Sequence, residues 1–261
     1  MNFIKDIIYI NKNTIKKAFE MFKKNWTIIF TGLIYLGITI IATLLLSPFF
    51  RVPVLNIVAG VLQYILYVAM LSSYLYILYN IIKYKKFDFK DFKLGYRVYM
   101  SPLIRIFFIG WIAEMIFIRG LVPMIAASSG GSLDTGTIVV IINLLVLVAI
   151  NPLPEVIYQK HYSGLDAIKY TFEYMKENWI EWLVPNIILL GLIYIVTGSI
   201  ITNLFNTSIG SNLNIMSLKG IAIYFVGQAI FSFTMIYRGV LFELLSTSTR
   251  RKRMFMRNTY K

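Results

Sequence analysis

The sequence predicts an all-α polytopic membrane protein: six transmembrane helices joined to amphipathic helices at the cytoplasmic interface. Three observations carry the prediction. Six apolar stretches have spanning length, basic charge falls on alternate connections, and one segment occurs twice. Composition sets the frame. Apolar residues are 58% of the 261 and charged residues only 15%, against about half and about a quarter in water-soluble domains. Mean hydropathy is +0.70, so the surplus apolar surface needs lipid as its solvent.

About 20 mostly apolar helical residues span the hydrocarbon. Trp26–Leu46, Val54–Ile82, Ile104–Ala127, Thr137–Tyr158, Leu183–Leu204 and Ile221–Leu245 meet that requirement. They are continuously apolar, without the alternation of a barrel strand. No cleavable leader is expected, because Ile7–Ile10 is too short an apolar run and Asn11–Lys24 after it is polar.

Charge orients the spans. With the N-terminus in the cytoplasm, the inner segments hold Lys5 to Lys24, then Lys83 to Arg105, then Lys160, Lys169 and Lys176, and finally Arg250 to Lys261. The outer segments hold only Arg51, Arg119 and Lys219. An asymmetry that alternates at every crossing is the positive-inside signature. It accounts for a net charge of +14 without a nucleic-acid partner, and places the protein in the cell membrane with both termini cytoplasmic.

The repeated segment is IKKAFEMFKKNW at Ile15–Trp26 and IKYTFEYMKENW at Ile168–Trp179. Ile15, Phe19, Phe22 and Trp26 make one apolar stripe, as do Leu165, Ile168, Phe172, Met175 and Trp179. Lysines occupy the other faces, the profile of a helix in the headgroup plane closed by an interfacial Trp. Ser163 and Asp166 resemble a capping box. Asp88–Leu103 reads either as a worn third copy or as an ordinary connection: Phe92, Lys93 and Tyr96 match the others, while Pro102 and Gly95 depart from them. On the first reading, one domain over 1–261 contains three parallel units, roughly 13–82, 88–158 and 163–246.

Polar residues inside apolar helices are the candidates for chemistry. Glu114 lies ten residues into the third stretch, about 15 Å along the helix and near the midplane. Arg119 follows and either snorkels outward or pairs with it. The pair reads as a proton- or substrate-linked site or as a structural contact. Asn151-Pro-Leu-Pro-Glu155 removes two backbone donors and forces a break. Such breaks carry binding groups in transporters; the plainer reading is that the helix stops near the inner interface. Arg238 and Glu243 are expected to snorkel to that interface. Lys16, Lys23, Lys24, Lys169, Lys176, Arg250, Arg251, Lys252 and Arg253 orient the chain first, and are candidate contacts to anionic inner-leaflet lipid.

Cysteine is absent and His161 is the one histidine, which removes thiol chemistry and the common metal sets. The chain has no HExxH, GxSxG or phosphate-binding glycine loop. No enzyme activity and no cofactor are expected.

Through the A-x-x-x-F-x-x-x-K-x-N-W form, seen in part in both copies and leading into a span, the chain resembles six-helix bacterial membrane proteins of unknown function. These are related to the membrane domain attached to some glycerophosphodiester phosphodiesterases. The resemblance implies an integral membrane protein without assigned catalysis and carries over no active-site residue. Two functions are open: a membrane module acting through lipid or a cytosolic or membrane protein partner, and a transporter or permease subunit centred on Glu114.

Overall fold

The computed structural model describes residues 3–128, 134–201, 203–209 and 217–248. Among them the chain is helical and without strands, an all-α polytopic membrane protein. In chain order the helices are α1 (Phe3–Lys24), α2 (Thr31–Leu46), α3 (Pro53–Tyr84), α4 (Lys90–Gly95) and α5 (Met100–Ile116). They continue with α6 (Val122–Ser128), α7 (Thr135–Ala149), α8 (Leu153–Lys160), α9 (Gly164–Thr197) and α10 (Leu218–Thr247). A 3₁₀ turn over Trp26–Phe30 leads into α2, and a π turn over Phe117–Leu121 joins α5 to α6.

Six helical stretches are long and apolar enough to cross a membrane: Trp26–Leu46, Pro53–Tyr84, Met100–Ser128, Thr135–Lys160, Gly164–Thr197 and Leu218–Thr247. The fifth departs most from expectation, ending at Thr197 and not at Leu204. Gly198 takes a left-handed conformation at φ 67°, which only glycine adopts without cost, and Thr197 accepts the next free N–H from Ser199. The released chain then turns back into the bundle. Phe205 and Ile209 are buried, Tyr67 donates to the Phe205 carbonyl at 3.2 Å, and the Ile209 N–H donates to Gln228 at 3.1 Å.

Two local starts also differ. Ser163 is the N-cap of α9 but makes no capping bond; its hydroxyl accepts from Arg105 instead. At the start of α4, no side chain caps the helix, and Asp91 in its first turn reaches back to accept the Asp88 N–H at 2.8 Å. Asp134 caps α7 by accepting the Thr137 N–H, and that bond holds its exposed carboxyl below its ordinary value.

α10 is the axis of the bundle, buried through most of Gly227–Leu245. Gly227 and Gly239 permit its close approaches, since a Cβ would overlap Thr197 Cγ2 at the first and meet the Tyr158 hydroxyl at 2.5 Å at the second. Small residues at helix contacts serve this purpose where lipid removes the hydrophobic drive. The remaining apolar surface points outward, as at Val140, Leu144 and Leu145 of α7.

α1 packs against the last part of α10 through a Lys17–Glu243 ion pair at 2.9 Å, a Tyr237–Asn11 hydrogen bond and an edge contact of Phe22 with Phe233. Glu243 therefore does not snorkel free; it is held by Lys17. α4 is pinned to α3 by Ser72, which donates to the Gly95 carbonyl at 2.7 Å and accepts the Tyr99 N–H at 2.8 Å.

Candidate functional site at the broken fourth helix

The fourth span breaks where its prolines require. Pro152 and Pro154 bring no N–H, so α7 stops at Ala149 and α8 restarts at Leu153 with Pro in its first turn. The break leaves the Asn151 carbonyl outside both helices. A group from α10 takes it. Arg238 Nη2 donates to that carbonyl at 2.8 Å, and Nη1 to the Asn151 side-chain oxygen at 3.0 Å.

The same guanidinium grips Glu155, Nε to Oε1 at 2.7 Å and Nη2 to Oε2 at 2.9 Å. This bidentate pairing is the strong form of the arginine–carboxylate contact. Trp182 of α9 completes the cluster: its indole N–H donates to Asn151 Oδ1 at 2.9 Å, and the Arg238 Cζ lies 5.0 Å from the ring centroid. All four side chains are buried, with Glu155 at 2% exposure and Arg238 at 5%. Four of the five guanidinium N–H groups are thus used.

Charge is balanced inside the cluster, which is what makes an ionic pair tolerable at this depth. Almost no space surrounds it. A void of only about 10 Å³ separates Glu155 and Arg238 from α3 and from Leu204–Asn206 of the returning connection. A neutral, nearly voidless pair with four of its five guanidinium N–H groups engaged is suited to locking α8, α9 and α10 together. Accepting a substrate there requires the returning connection to move.

Asn151 and Glu155 are thus brought together, as the sequence suggested, but Glu114 and Arg119 are elsewhere. Both are exposed on the outside of the third span, and no ion pair joins them. Arg238 was expected to snorkel; the opposite holds, because the broken helix offers it a carboxylate and a free carbonyl. The signal for this was present. Glu155 lies 18 residues below the expected start of the fourth span at Thr137, and Arg238 lies 17 below that of the sixth at Ile221. Both spans run in the same direction, so the two charges fall at one depth. Nothing in the sequence pointed to Trp182.

The basic candidates fall into two groups. Lys16, Lys23, Lys24, Lys169 and Lys176 are exposed and make no ion pair among the described residues. Arg250, Arg251, Lys252 and Arg253 lie outside the described residues. His161 is exposed at the end of α8 and stacks on Tyr99 at 6.0 Å between ring centroids.

The two repeated segments bury the same offsets: Thr14 and Ala167, Ala18 and Thr171, Met21 and Tyr174, Asn25 and Asn178. Phe19, Trp26, Phe172 and Trp179 are exposed. The first segment is separated from its span by the 3₁₀ turn, whereas the second is continuous with its span in α9. The asparagine of the first copy is a fastening. Asn25 donates to the Met21 and Lys85 carbonyls and accepts the Phe87 N–H, tying the end of α1 to the chain that leaves α3. Asn178 donates to the Tyr174 carbonyl in the equivalent place.

Among the described residues no group of His, Cys, Asp and Glu is placed to hold a metal ion. Comparison with known proteins found no family model, no curated protein and no solved structure that matches the chain.

Proposed function

We propose that this chain is a non-enzymatic module of the cell membrane, with both termini cytoplasmic, that acts through contacts to anionic lipid and to a protein partner. The observation behind this reading is the shared pattern of the Ile15–Trp26 and Ile168–Trp179 segments. Each buries one face at matching offsets and holds large apolar side chains and exposed lysines outward, Lys16, Lys23 and Lys24 in the first and Lys169 and Lys176 in the second. Buried apolar area and basic charge together are what bind a helix to an anionic interface. We read the two as copies of one interfacial element, and their likeness to the six-helix bacterial family rests on the same residues.

The test is vesicle association of the purified protein after replacing Lys16, Lys23, Lys169 and Lys176 with Gln. Four basic residues near the surface contribute about 4 kcal/mol together, so preference for anionic vesicles should collapse. Unchanged association would remove the support for the reading.

A permease reading is favoured by one observation, the broken fourth helix with an ionic pair at its gap. Its carboxylate is then Glu155 and not Glu114. Copurification of an ATPase, or substrate flux abolished by Glu155→Gln in protein shown to be folded, would favour it over the first.

A further inference from the structure

A groove of about 500 Å³ opens outward between α2 and α3 and is floored by α4. Its walls include Tyr35 and Ile38 of α2, Leu66 and Met70 of α3, and Phe89 and Tyr96 beside α4. The volume is that of a small-molecule site, but its chemistry is hydrocarbon. The Tyr35 hydroxyl donates to Ser73, and Ser73 donates to the Phe92 carbonyl, so the polar groups within it are already engaged. The groove follows α3 from Leu66 to Ser73, about 10 Å of helix, within a stretch apolar enough to cross a membrane, where a bilayer lipid is the neighbouring molecule.

One end of the groove is cationic. The Arg97 guanidinium lies 4.9 Å over the Tyr96 ring, one of its walls. Lys90 and Lys93 belong to α4, the helix that floors the groove, and add basic charge to the same short segment. All three cations are exposed, and none has a carboxylate partner among the described residues. Of the nearby acids, Asp88 pairs with Lys86 at 3.3 Å and Asp91 turns back to accept the Asp88 N–H. An apolar groove with Arg97 over one wall and a basic helix as its floor has the polarity of a lipid with a single anionic head.

We infer that this groove is a binding site for an anionic glycerophospholipid of the cytoplasmic leaflet. One acyl chain lies between α2 and α3, and the phosphate meets Arg97 with Lys93 and Lys90. Arginine suits this role because its planar fork matches phosphate oxygens. The inference rests on the proposed lipid-contact function and adds a specific site on a different part of the molecule.

The experiment is native mass spectrometry of the full chain in mild detergent with added phosphatidylglycerol or phosphatidylcholine. The expected result is a retained phosphatidylglycerol adduct and a readily lost phosphatidylcholine one. Arg97→Gln with Lys93→Gln changes only exposed side chains and should weaken phosphatidylglycerol retention by about 30-fold, the loss of two basic residues near the head. Ala69→Phe, which fills the groove wall, should remove the adduct of either lipid. Equal retention of the two lipids by the unaltered protein would overturn the assignment. So would undiminished phosphatidylglycerol retention in the Arg97 and Lys93 variant, or in Ala69→Phe. The variant lacking Lys16, Lys23, Lys169 and Lys176 should keep the adduct. Its vesicle association tests the broader reading separately.

Discussion

Arg238 and Glu155 form a buried, two-point ion pair across the bundle, with contacts of 2.7 and 2.9 Å, at the gap of a helix broken by two prolines. Removing one partner of such a pair leaves a bare charge and costs about 3–5 kcal/mol. Arg238→Met should therefore lower unfolding stability in detergent by that amount. Arg238→Met combined with Glu155→Met should recover most of it. A double variant as unstable as the single one would mean that the pair does more than neutralise itself.

Glu114 makes the contrast. It is exposed and unpaired on the third span, so Glu114→Gln should change stability by less than about 0.5 kcal/mol. The same thermal unfolding assay compares it directly with Glu155→Gln. A large loss at Glu114 would place that carboxylate at a contact with another chain.

Asn25 uses both ends of its amide across three backbone groups. Asn25→Ala strands the buried Phe87 N–H and should cost about 1–3 kcal/mol. The loosened segment is the one that follows α3, so limited proteolysis should cut near Lys85 and Lys86 before any global unfolding.

Gly95 sits where α4 meets α3, and a Cβ there would lie 2.8 Å from Tyr76 Cβ and 3.0 Å from Ser73 Cα. One of those atoms is backbone, so the contact cannot relax cheaply. Gly95→Val should destabilise by about 1–3 kcal/mol through overpacking. Gly110→Ala, with nothing within 4 Å of the added carbon, should be neutral or stabilising, since alanine is the better helix former by about 1 kcal/mol. Thermal midpoints of the two variants decide this.

Orientation is accessible because the chain has no cysteine. Single cysteines at Lys86 and Arg51, both exposed, should react with a membrane-impermeant thiol reagent from opposite sides, Lys86→Cys from the cytoplasm. Labelling of Arg51→Cys from the cytoplasmic side would reverse the proposed topology.

Much of the architecture was legible in the sequence. Six spans are legible, with limits that differ by only a few residues except at the fifth, whose helix already begins at Gly164 with the surface segment and ends early at Thr197. That exception has a local cause: Ile200, Ile201 and Leu204 are apolar enough to extend a span, but Gly198 stops the helix and the bundle takes up Phe205 instead. Half of the central site was legible too. The prolines mark the break and point to Asn151 and Glu155, whereas the partner of Arg238 lies on another span and is not written in its own. A helix that is read alone offers an arginine only the interface to reach.

The sequence by itself determined the solvent of this protein, the number of its crossings and the place where one of them breaks. Those properties follow from local quantities: apolar length, charge between spans, and the missing N–H of proline. Only the tertiary structure decided which polar groups meet. A side chain's partner depends on the order of the helices and the rotation of each about its axis, which hydropathy does not encode. That is why Arg238 found Glu155, why Glu114 faces outward, and why Arg97 lies over a wall of the groove.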